Sequence, residues 1–251
     1  MIDRHAVVTG GGTGIGSAIS TALAESGAHV TVMGRRHAPL AALAEANANI
    51  RAVTCDVTDP EEVAQAFSQA AEQSGPIGIL VNNAGAAPTT PFHKLGADAW
   101  RQVMAVNLDA VFHCTREVIG PMQAAGWGRI VTIASTAAQK GYAYVSAYCA
   151  AKHGALGLTR ALALECATRG ITVNAVCPGY TDTDLVHSAV ANIMAKTGRS
   201  ESEALAQFTG SNPQGRLVQP AEVAAAVLWL CQESSSSITG QAISVSGGEV
   251  M

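Results

Sequence analysis

The sequence predicts an α/β fold, a single domain built on a doubly wound, seven-stranded parallel sheet. Two observations carry this expectation. Short β-branched or aliphatic runs alternate with longer Ala-rich segments of helical character, the pattern of repeated βα units around a parallel sheet. Several of those runs are nearly continuous in apolar residues, as strands covered on both faces must be. A length of 251 residues with 48% hydrophobic content is enough for one sizeable core and short for two.

Taken in order, strands are expected at His5–Thr9, His29–Met33, Arg51–Thr54, Ile77–Val81, Arg129–Ala134, Ile171–Val176 and Gln241–Val245. Helices are expected over 14–27, 38–48, 60–74, 97–124, 146–169 and 220–233. Asp59-Pro60 and Gln219-Pro220 read as helix starts, because proline at the first helical position gives up only an N–H that has no intrahelical partner. Tyr180 to Asn212 breaks the alternation. It has helical composition and carries Met194, Leu205 and Phe208, and an insertion at that place suits a lid. Ser234–Ser237 reads as a turn before the last strand, and neither a linker nor an internal repeat is evident.

Charge and cysteine usage narrow the function classes. The net charge is −4 and no run of Lys or Arg occurs, which excludes a nucleic-acid footprint and a membrane-surface patch. Cys55, Cys114, Cys149, Cys166, Cys177 and Cys231 are scattered, with no C-x-x-C pair, and no signal segment opens the chain. These are expected to be reduced thiols of a cytoplasmic protein. Apolar stretches are interrupted well short of the roughly 18 to 20 residues a membrane span needs. Small-molecule chemistry is the remaining class.

The first strand runs into Thr9-Gly10-Gly11-Gly12-Thr13-Gly14-Ile15-Gly16 and then directly into a helix. Unbonded N–H groups and the positive end of a helix dipole attract an anion there, and glycines let a pyrophosphate approach the main chain. The spacing departs from G-x-G-x-x-G, so the dinucleotide reading rests on a variant of that fingerprint. An ordinary flexible turn is the alternative. In a NAD site an acid about twenty residues beyond the glycines binds the ribose hydroxyls, whereas an NADP site has a basic group instead. Here the second strand ends Met33-Gly34-Arg35-Arg36, with no acid in reach, and a guanidinium suits a ribose phosphate. NADP(H) is the expected cofactor and NAD the alternative, in which both arginines are simply solvated.

Tyr148 and Lys152 stand four apart on a predicted helix, on one face and about 6 Å from each other along it. A phenol with pKa near 10 is a poor proton donor and acceptor at neutral pH. Lowering it by about three units takes roughly 4 kcal/mol of preferential phenolate stabilisation, part of which a neighbouring ammonium can supply. By itself the spacing means little. Ser135 follows the fifth strand, Asn107 lies in the long helix before it, and Asn82-Asn83-Ala84-Gly85 closes the fourth. Ligands of open α/β sheets bind at such carboxyl ends.

With these residues assembled, the chain resembles the short-chain dehydrogenase/reductase family over essentially its whole length. Thr9 to Gly16 is similar to the family's T-G-x-x-x-G-x-G turn, Asp56 to its adenine-contacting acid, Asn82–Gly85 to its N-N-A-G, and Pro178-Gly179 to its post-strand turn. The resemblance implies a Rossmann-type fold and a catalytic tetrad of Asn107, Ser135, Tyr148 and Lys152. Tyr148 would protonate the nascent alkoxide, Ser135 hold the substrate oxygen, Lys152 hold the nicotinamide ribose, and Asn107 order a water joined to the lysine. Implied cofactor contacts are Gly10, Thr13, Gly14, Ile15 and Gly16; Arg35 and Arg36; Asp56 and Val57; Asn83, Ala84 and Gly85; Tyr148 and Lys152; and Pro178, Gly179, Thr181 and Thr183. No metal is implied. Thr181 stands where the family often has Ile or Val, and its contact would be through the backbone.

Other conspicuous residues are given plainer roles. His153 has no partner at metal-ligand spacing, Cys149 points away from Tyr148 along the helix and reads as packing, and Trp100, Trp127 and Trp229 read as core or interface residues. Specificity is expected from Lys140–Ser146 and from the Tyr180–Asn212 insertion. Tyr142, Tyr144, Val145, Tyr180, Leu185 and Val186 imply an apolar or aromatic-tolerant pocket, with Tyr142 and Tyr180 joining Ser135 and Tyr148 as substrate contacts. Lys196 and Arg199 either meet a phosphate or are solvated. Cys177-Pro178-Gly179-Tyr180 and the T-G-Q-A-I-S-V-S-G-G ending are similar to 3-oxoacyl thioester reductases, polyketide ketoreductases and 3-hydroxyacyl dehydrogenases, so a 3-oxoacyl substrate is expected. Coenzyme A esters, carrier-protein esters and free ketones all stay open. The turn Met122–Arg129 lacks the basic residue that fatty-acid-synthesis reductases place there, although Arg169 matches their second. A homotetramer is implied, with the apolar 220–251 segment at an interface. Two rivals are an NAD-preferring alcohol or 3-hydroxyacyl dehydrogenase and a non-catalytic dinucleotide sensor.

Overall fold

The computed structural model describes residues 3–251. Among them, seven strands form one parallel sheet in the order β3-β2-β1-β4-β5-β6-β7. The strands are β1 His5–Thr9, β2 His29–Gly34, β3 Ile50–Thr54, β4 Ile77–Asn82, β5 Gly128–Ile133, β6 Ile171–Pro178 and β7 Ala242–Val245. Each expected strand is present within a residue or two at either end. The order reverses between β1 and β4, which pair Ala6 with Ile79 and Val8 with Val81. That switch point opens a crevice at the carboxyl ends of the strands.

Helices cover both faces. On one, Ile19 and Leu23 of α1 (Gly14–Glu25), Leu40 of α2 (His37–Ala46) and Val223, Val227 and Leu230 of α9 (Pro220–Leu230) pack on Val8, Val30, Val32 and Ile79. On the other, Val63 and Phe67 of α3 (Pro60–Ser74), Cys114, Val118 and Met122 of α5 (Ala110–Ala125) and Cys166 of α6 (Ser146–Cys166) pack on Val7, Leu80 and Ile130. With both faces covered, the strands are apolar on either side, which is why they read as continuous runs rather than as alternating ones.

Local chemistry fixes the helix ends. Asp59 caps α3 by accepting from the Glu61 and Glu62 amides at 2.9 and 3.2 Å, and Gln219 with Glu222 forms a capping box at α9. One expectation needs correction. The single helix expected over 97–124 is α4 (Ala97–Met104), a π-helical turn over Ala105–Asp109, and then α5. Periodicity along the sequence cannot register one extra residue per turn, yet such widened turns gather at functional sites, and this one contains Asn107. The insertion is two helices, α7 (Asp184–Thr197) and α8 (Glu201–Thr209), packed through Val186, Val190, Ala204 and Leu217. Gly198 in the left-handed region and a Ser200–Glu203 capping box make the break between them. No helix among the described residues is long and apolar enough to cross a membrane.

Candidate active site

Two adjoining cavities occupy the crevice. One, of about 710 Å³, is lined at one end by Gly10, Arg35, Arg36, Asp56, Val57, Ala84 and Gly85. The other, of about 330 Å³, is lined by Ile15, Asn83, Ser135, Tyr142, Tyr148, Lys152, Pro178, Gly179, Tyr180, Thr181 and Thr183 among others. Residues scattered from position 10 to position 183 thus meet at one edge of the sheet. Thr13, Gly14 and Gly16 shape the glycine turn behind these cavities rather than lining them.

That turn is built for close approach. Gly10 and Gly14 have φ of +62° and +54°, a region costly for residues with a Cβ. A Cβ at Gly16 would overlap the Gly10 carbonyl oxygen. The N-terminal turn of α1 has neither a side-chain cap from Thr13 nor an acidic residue, so its amides are left for another acceptor. Asn83 braces the turn: its Nδ2 donates to Thr9 O at 2.9 Å and Gly10 O at 3.0 Å. Arg35 and Arg36 are exposed, and neither guanidinium has an ion pair among the described residues. Asp56 is only partly buried. Burial raises its carboxyl, but the Thr58 amide and hydroxyl and the Arg35 charge outweigh it and hold the group below its ordinary value.

At the other end, Ser135 leaves β5, and Tyr148 and Lys152 come from the first two turns of α6. The Ser135 hydroxyl stands near enough to the Tyr148 phenol to favour its ionised form. Lys152 is 4% exposed and donates from Nζ to Ile133 O at 2.8 Å; the amine stands 5.6 Å from the Tyr148 ring centre. Asn107 is fully buried. Its Nδ2 donates to Ala86 O at 2.8 Å and Val103 O at 2.9 Å, so the π turn points it at the loop after β4 rather than into the cavity. Asn107 and Lys152 nonetheless approach one spot. A Cβ at Gly85 would lie 2.8 Å from Asn107 Oδ1 and 3.6 Å from Lys152 Nζ.

The electrostatics show how much of the expected lowering of the phenol the residues leave to other groups. Burial pushes Tyr148 up to about 12 despite the Ser135 hydroxyl, and burial pushes Lys152 down to about 8. The side chains alone therefore favour a neutral phenol and a weakly held lysine proton.

The short chain dehydrogenase family model matches residues 4–193. The chain belongs to the short-chain dehydrogenase family. Relatives at full length agree. An acetoacetyl-CoA reductase of Shinella zoogloeoides is 38% identical over 248 residues, covering 99% of each chain. A cis-4-hydroxycyclohexanecarboxylate dehydrogenase of Sinomonas cyclohexanicum is 40% identical over 250 residues, covering 98% of this chain and 96% of the relative. Among solved structures, a variant of the actinorhodin polyketide ketoreductase with NADPH matches with a TM-score of 0.94 at 37% identity, covering 98% of this chain and 97% of that one. As a short-chain dehydrogenase the chain is an oxidoreductase of the C=O/CH–OH couple.

One wall of the smaller cavity is aromatic. Tyr142 and Tyr180 meet edge to face at 6.4 Å, and Tyr180 meets Phe208 of α8 at 5.0 Å. Leu185, Val186 and Ala189 of α7 complete this wall, whereas Lys196 and Arg199 lie exposed outside it. Tyr142 differs from its expected role in one respect: its hydroxyl is already engaged at 2.6 Å by both Thr136 Oγ1 and Glu249 Oε1. Glu249 escaped the sequence reading because one acid after a Gly-Gly pair has no periodicity or motif to mark it. Of the tryptophans, Trp127 has the guanidinium groups of Arg4 and Arg129 at 3.9 and 4.7 Å from its ring centre, while Trp100 and Trp229 are exposed and do not belong to the core.

Proposed function

We propose that the chain is an NADP(H)-dependent, cytoplasmic, homotetrameric reductase of a 3-oxoacyl thioester or related ketone, with 180–212 as its substrate loop. The observation that carries this reading is the meeting of Ser135, Tyr148 and Lys152 in one small cavity beside a larger cleft with two unpaired arginines at its far end. The cleft fits a nicotinamide dinucleotide on its own evidence. It has a glycine turn into which a Cβ would collide, an uncapped helix start, and a guanidinium pair suited to a 2′-phosphate. Gly10, Ile15, Asn83, Ala84 and Gly85 would line its path, with Asp56 and Val57 at the adenine and Pro178, Gly179, Thr181 and Thr183 at the nicotinamide end. When bound, the nicotinamide supplies the hydride.

This chain's residues supply the rest. Ser135 donates to the substrate carbonyl oxygen and places it beside Tyr148. Tyr148 gives its proton to the oxygen as it becomes an alkoxide, and a phenol held at about 12 is in the right state to give one. Lys152 replaces that proton from within the same buried cluster, and its amine, depressed to about 8, releases one near neutral pH. Asn107 holds the Ala86 backbone and leaves the Gly85 corridor open beside Lys152. All six thiols are unpaired and five are buried, which accords with a reducing compartment.

The test is initial rates for a 3-oxoacyl coenzyme A ester and an aryl ketone, with NADPH and NADH, on the wild type and on Tyr148→Phe. NADPH-dependent thioester turnover, reduced by several orders of magnitude in the variant, is the expected result. Equal turnover in Tyr148→Phe would remove the tyrosine from the mechanism. Turnover of the ketone alone would replace the acyl substrate, and a preference for NADH would replace the cofactor.

A further inference from the structure

Behind the aromatic wall lies a carboxylate that none of the proposed chemistry uses. After β7 the chain turns through Gly247 and Gly248, both at positive φ, where a Cβ at Gly247 would overlap the Asn212 side chain. This tight return places Glu249 beneath the substrate cavity with its side chain 1% exposed. Oε1 accepts from the Tyr142 hydroxyl at 2.6 Å and pairs with Lys140 Nζ at 3.0 Å. Ser211, in the loop after α8, is near enough to the same carboxylate to favour its ionised form. Oε2 lies 3.1 Å from where a Cβ of Gly179 would stand, so glycine at that turn makes room for it. Although burial raises the carboxyl, these hydrogen bonds and the lysine charge outweigh it and keep Glu249 ionised.

The consequence is for what the cavity offers a substrate. Tyr142 lines it, but both hydrogen-bonding directions of its hydroxyl are satisfied by Glu249 and Thr136. Lys140 lies 5.0 Å from the Tyr142 ring centre and is held by Glu249 rather than lining the cavity. Among the described residues that line it, Lys152 is the one cation; it stands at the Tyr148 end, with one of its three donors taken by Ile133 O. A carboxylate entering the wall of Tyr142, Tyr180 and Phe208 would lose its water with no cation there to pair with and with the Glu249 carboxylate behind it, which is unfavourable. An uncharged acyl or aryl group would meet Tyr142, Tyr180 and Phe208.

We infer that Glu249 is a specificity-determining positioning residue: by engaging the Tyr142 hydroxyl and holding the partly exposed Lys140 ammonium outside the cavity, it makes the substrate cavity accept a neutral carbonyl compound and refuse a free keto acid. This rests on the reductase reading above and narrows its substrate class to esters, thioesters and ketones.

The experiment compares ethyl acetoacetate with acetoacetate in the wild type, in Glu249→Gln, and in Glu249→Gln combined with Lys140→Ala. The expected wild-type ratio of kcat/KM, ester over acid, is at least a hundredfold. In Glu249→Gln it falls at least tenfold through the KM for the acid, and adding Lys140→Ala restores it. A role in stability alone would lower both substrates together and leave the ratio unchanged, which would overturn the inference. Wild-type protein that takes the acid as readily as the ester would overturn it as well, whether or not the variant folds. Calorimetric titration with acetoacetate, with and without NADP⁺, gives an answer independent of turnover. Binding to Glu249→Gln alone supports the inference, and equal binding to wild type sinks it. A chain that turns over neither substrate would thus end the reductase reading while leaving Glu249 to be decided by the titration.

Discussion

At the scale of single residues, the opposed shifts of Tyr148 and Lys152 make a signature in solution. Burial holds the Lys152 amine at about 8 against an ordinary 10.5. Below pH 8 both folded and unfolded chains carry that proton, and the burial penalty is present in full. As pH rises from 8 to 10.5 the folded state sheds it first, so this residue's contribution to stability increases. Buried thiols oppose the trend. Burial raises Cys55 and Cys231 to about 12 and Cys177 to about 11, so they cost stability once the unfolded thiols ionise above about 9. Subtracting a variant isolates the lysine. Lys152→Met is expected to gain stability relative to wild type at pH 7, and that gap should shrink by on the order of 3 kcal/mol between pH 8 and 10.5, read from urea unfolding at each pH. A gap independent of pH would mean the amine is not held as the structure places it. Arg35 and Arg36 make a separate case. A charge-assisted contact with a ribose phosphate is lost when both become alanine, so NADPH affinity should fall roughly ten- to hundredfold while NADH affinity stays within a few-fold. Titration of nicotinamide fluorescence measures both, and equal loss of the two would refute the phosphate assignment.

At the scale of elements, the strand–turn–helix unit β1–α1 carries the tightest constraint in the site. A Cβ on Gly16 would overlap the Gly10 carbonyl and press on Asn83 Nδ2, so Gly16→Ala must displace either the turn or its brace. The expected result is a loss of about 1 to 3 kcal/mol together with weaker NADPH binding. Asp59→Ala, which removes only the α3 cap, should cost about 1 kcal/mol and leave binding alone. Thermal unfolding and cofactor titration on the same samples separate the two. The same unit explains what could be read in advance. The glycines of this unit, the apolar strands and the Asp59-Pro60 start are local signals, and they placed the sheet, most helix ends and the glycine turn between β1 and α1. Features set by tertiary context were not legible. The π turn around Asn107 adds one residue without altering the apolar pattern. Glu249 gains its partners only because β7 ends beside the loops after β5 and α8, and the phenol is raised because α6 is buried against β5 and β6. What a residue is could be read from the chain, but the environment that sets its proton affinity could not.

At the scale of the whole molecule, exposed apolar groups stand on α5–α6 and at α9 and the last residue, apart from Phe92, Tyr144 and Leu185 elsewhere on the surface. Leu164 on α6 is 82% exposed and Phe112 on α5 is 48% exposed, while Trp229 on α9 is 42% exposed and Met251 projects fully from the end of the chain. Single exposed apolar residues are ordinary, but a homotetramer with twofold symmetry needs two different self-complementary patches, and α5–α6 and α9–β7 would be those two. The proposed tetramer therefore makes a graded prediction rather than an all-or-none one. Glutamate at both 112 and 164 puts charge into one interface only, where burial without a partner costs several kcal/mol, and the expected product is a dimer that keeps the α9–β7 contact. Adding Trp229→Glu should carry the dimer to a monomer. Sedimentation equilibrium reads the mass directly, in multiples of the 25.6 kDa chain. A wild-type monomer would dispose of the assembly altogether. A tetramer unaffected by Phe112→Glu with Leu164→Glu would move the interface away from α5 and α6 and leave the exposure of Leu164 to be explained by another partner.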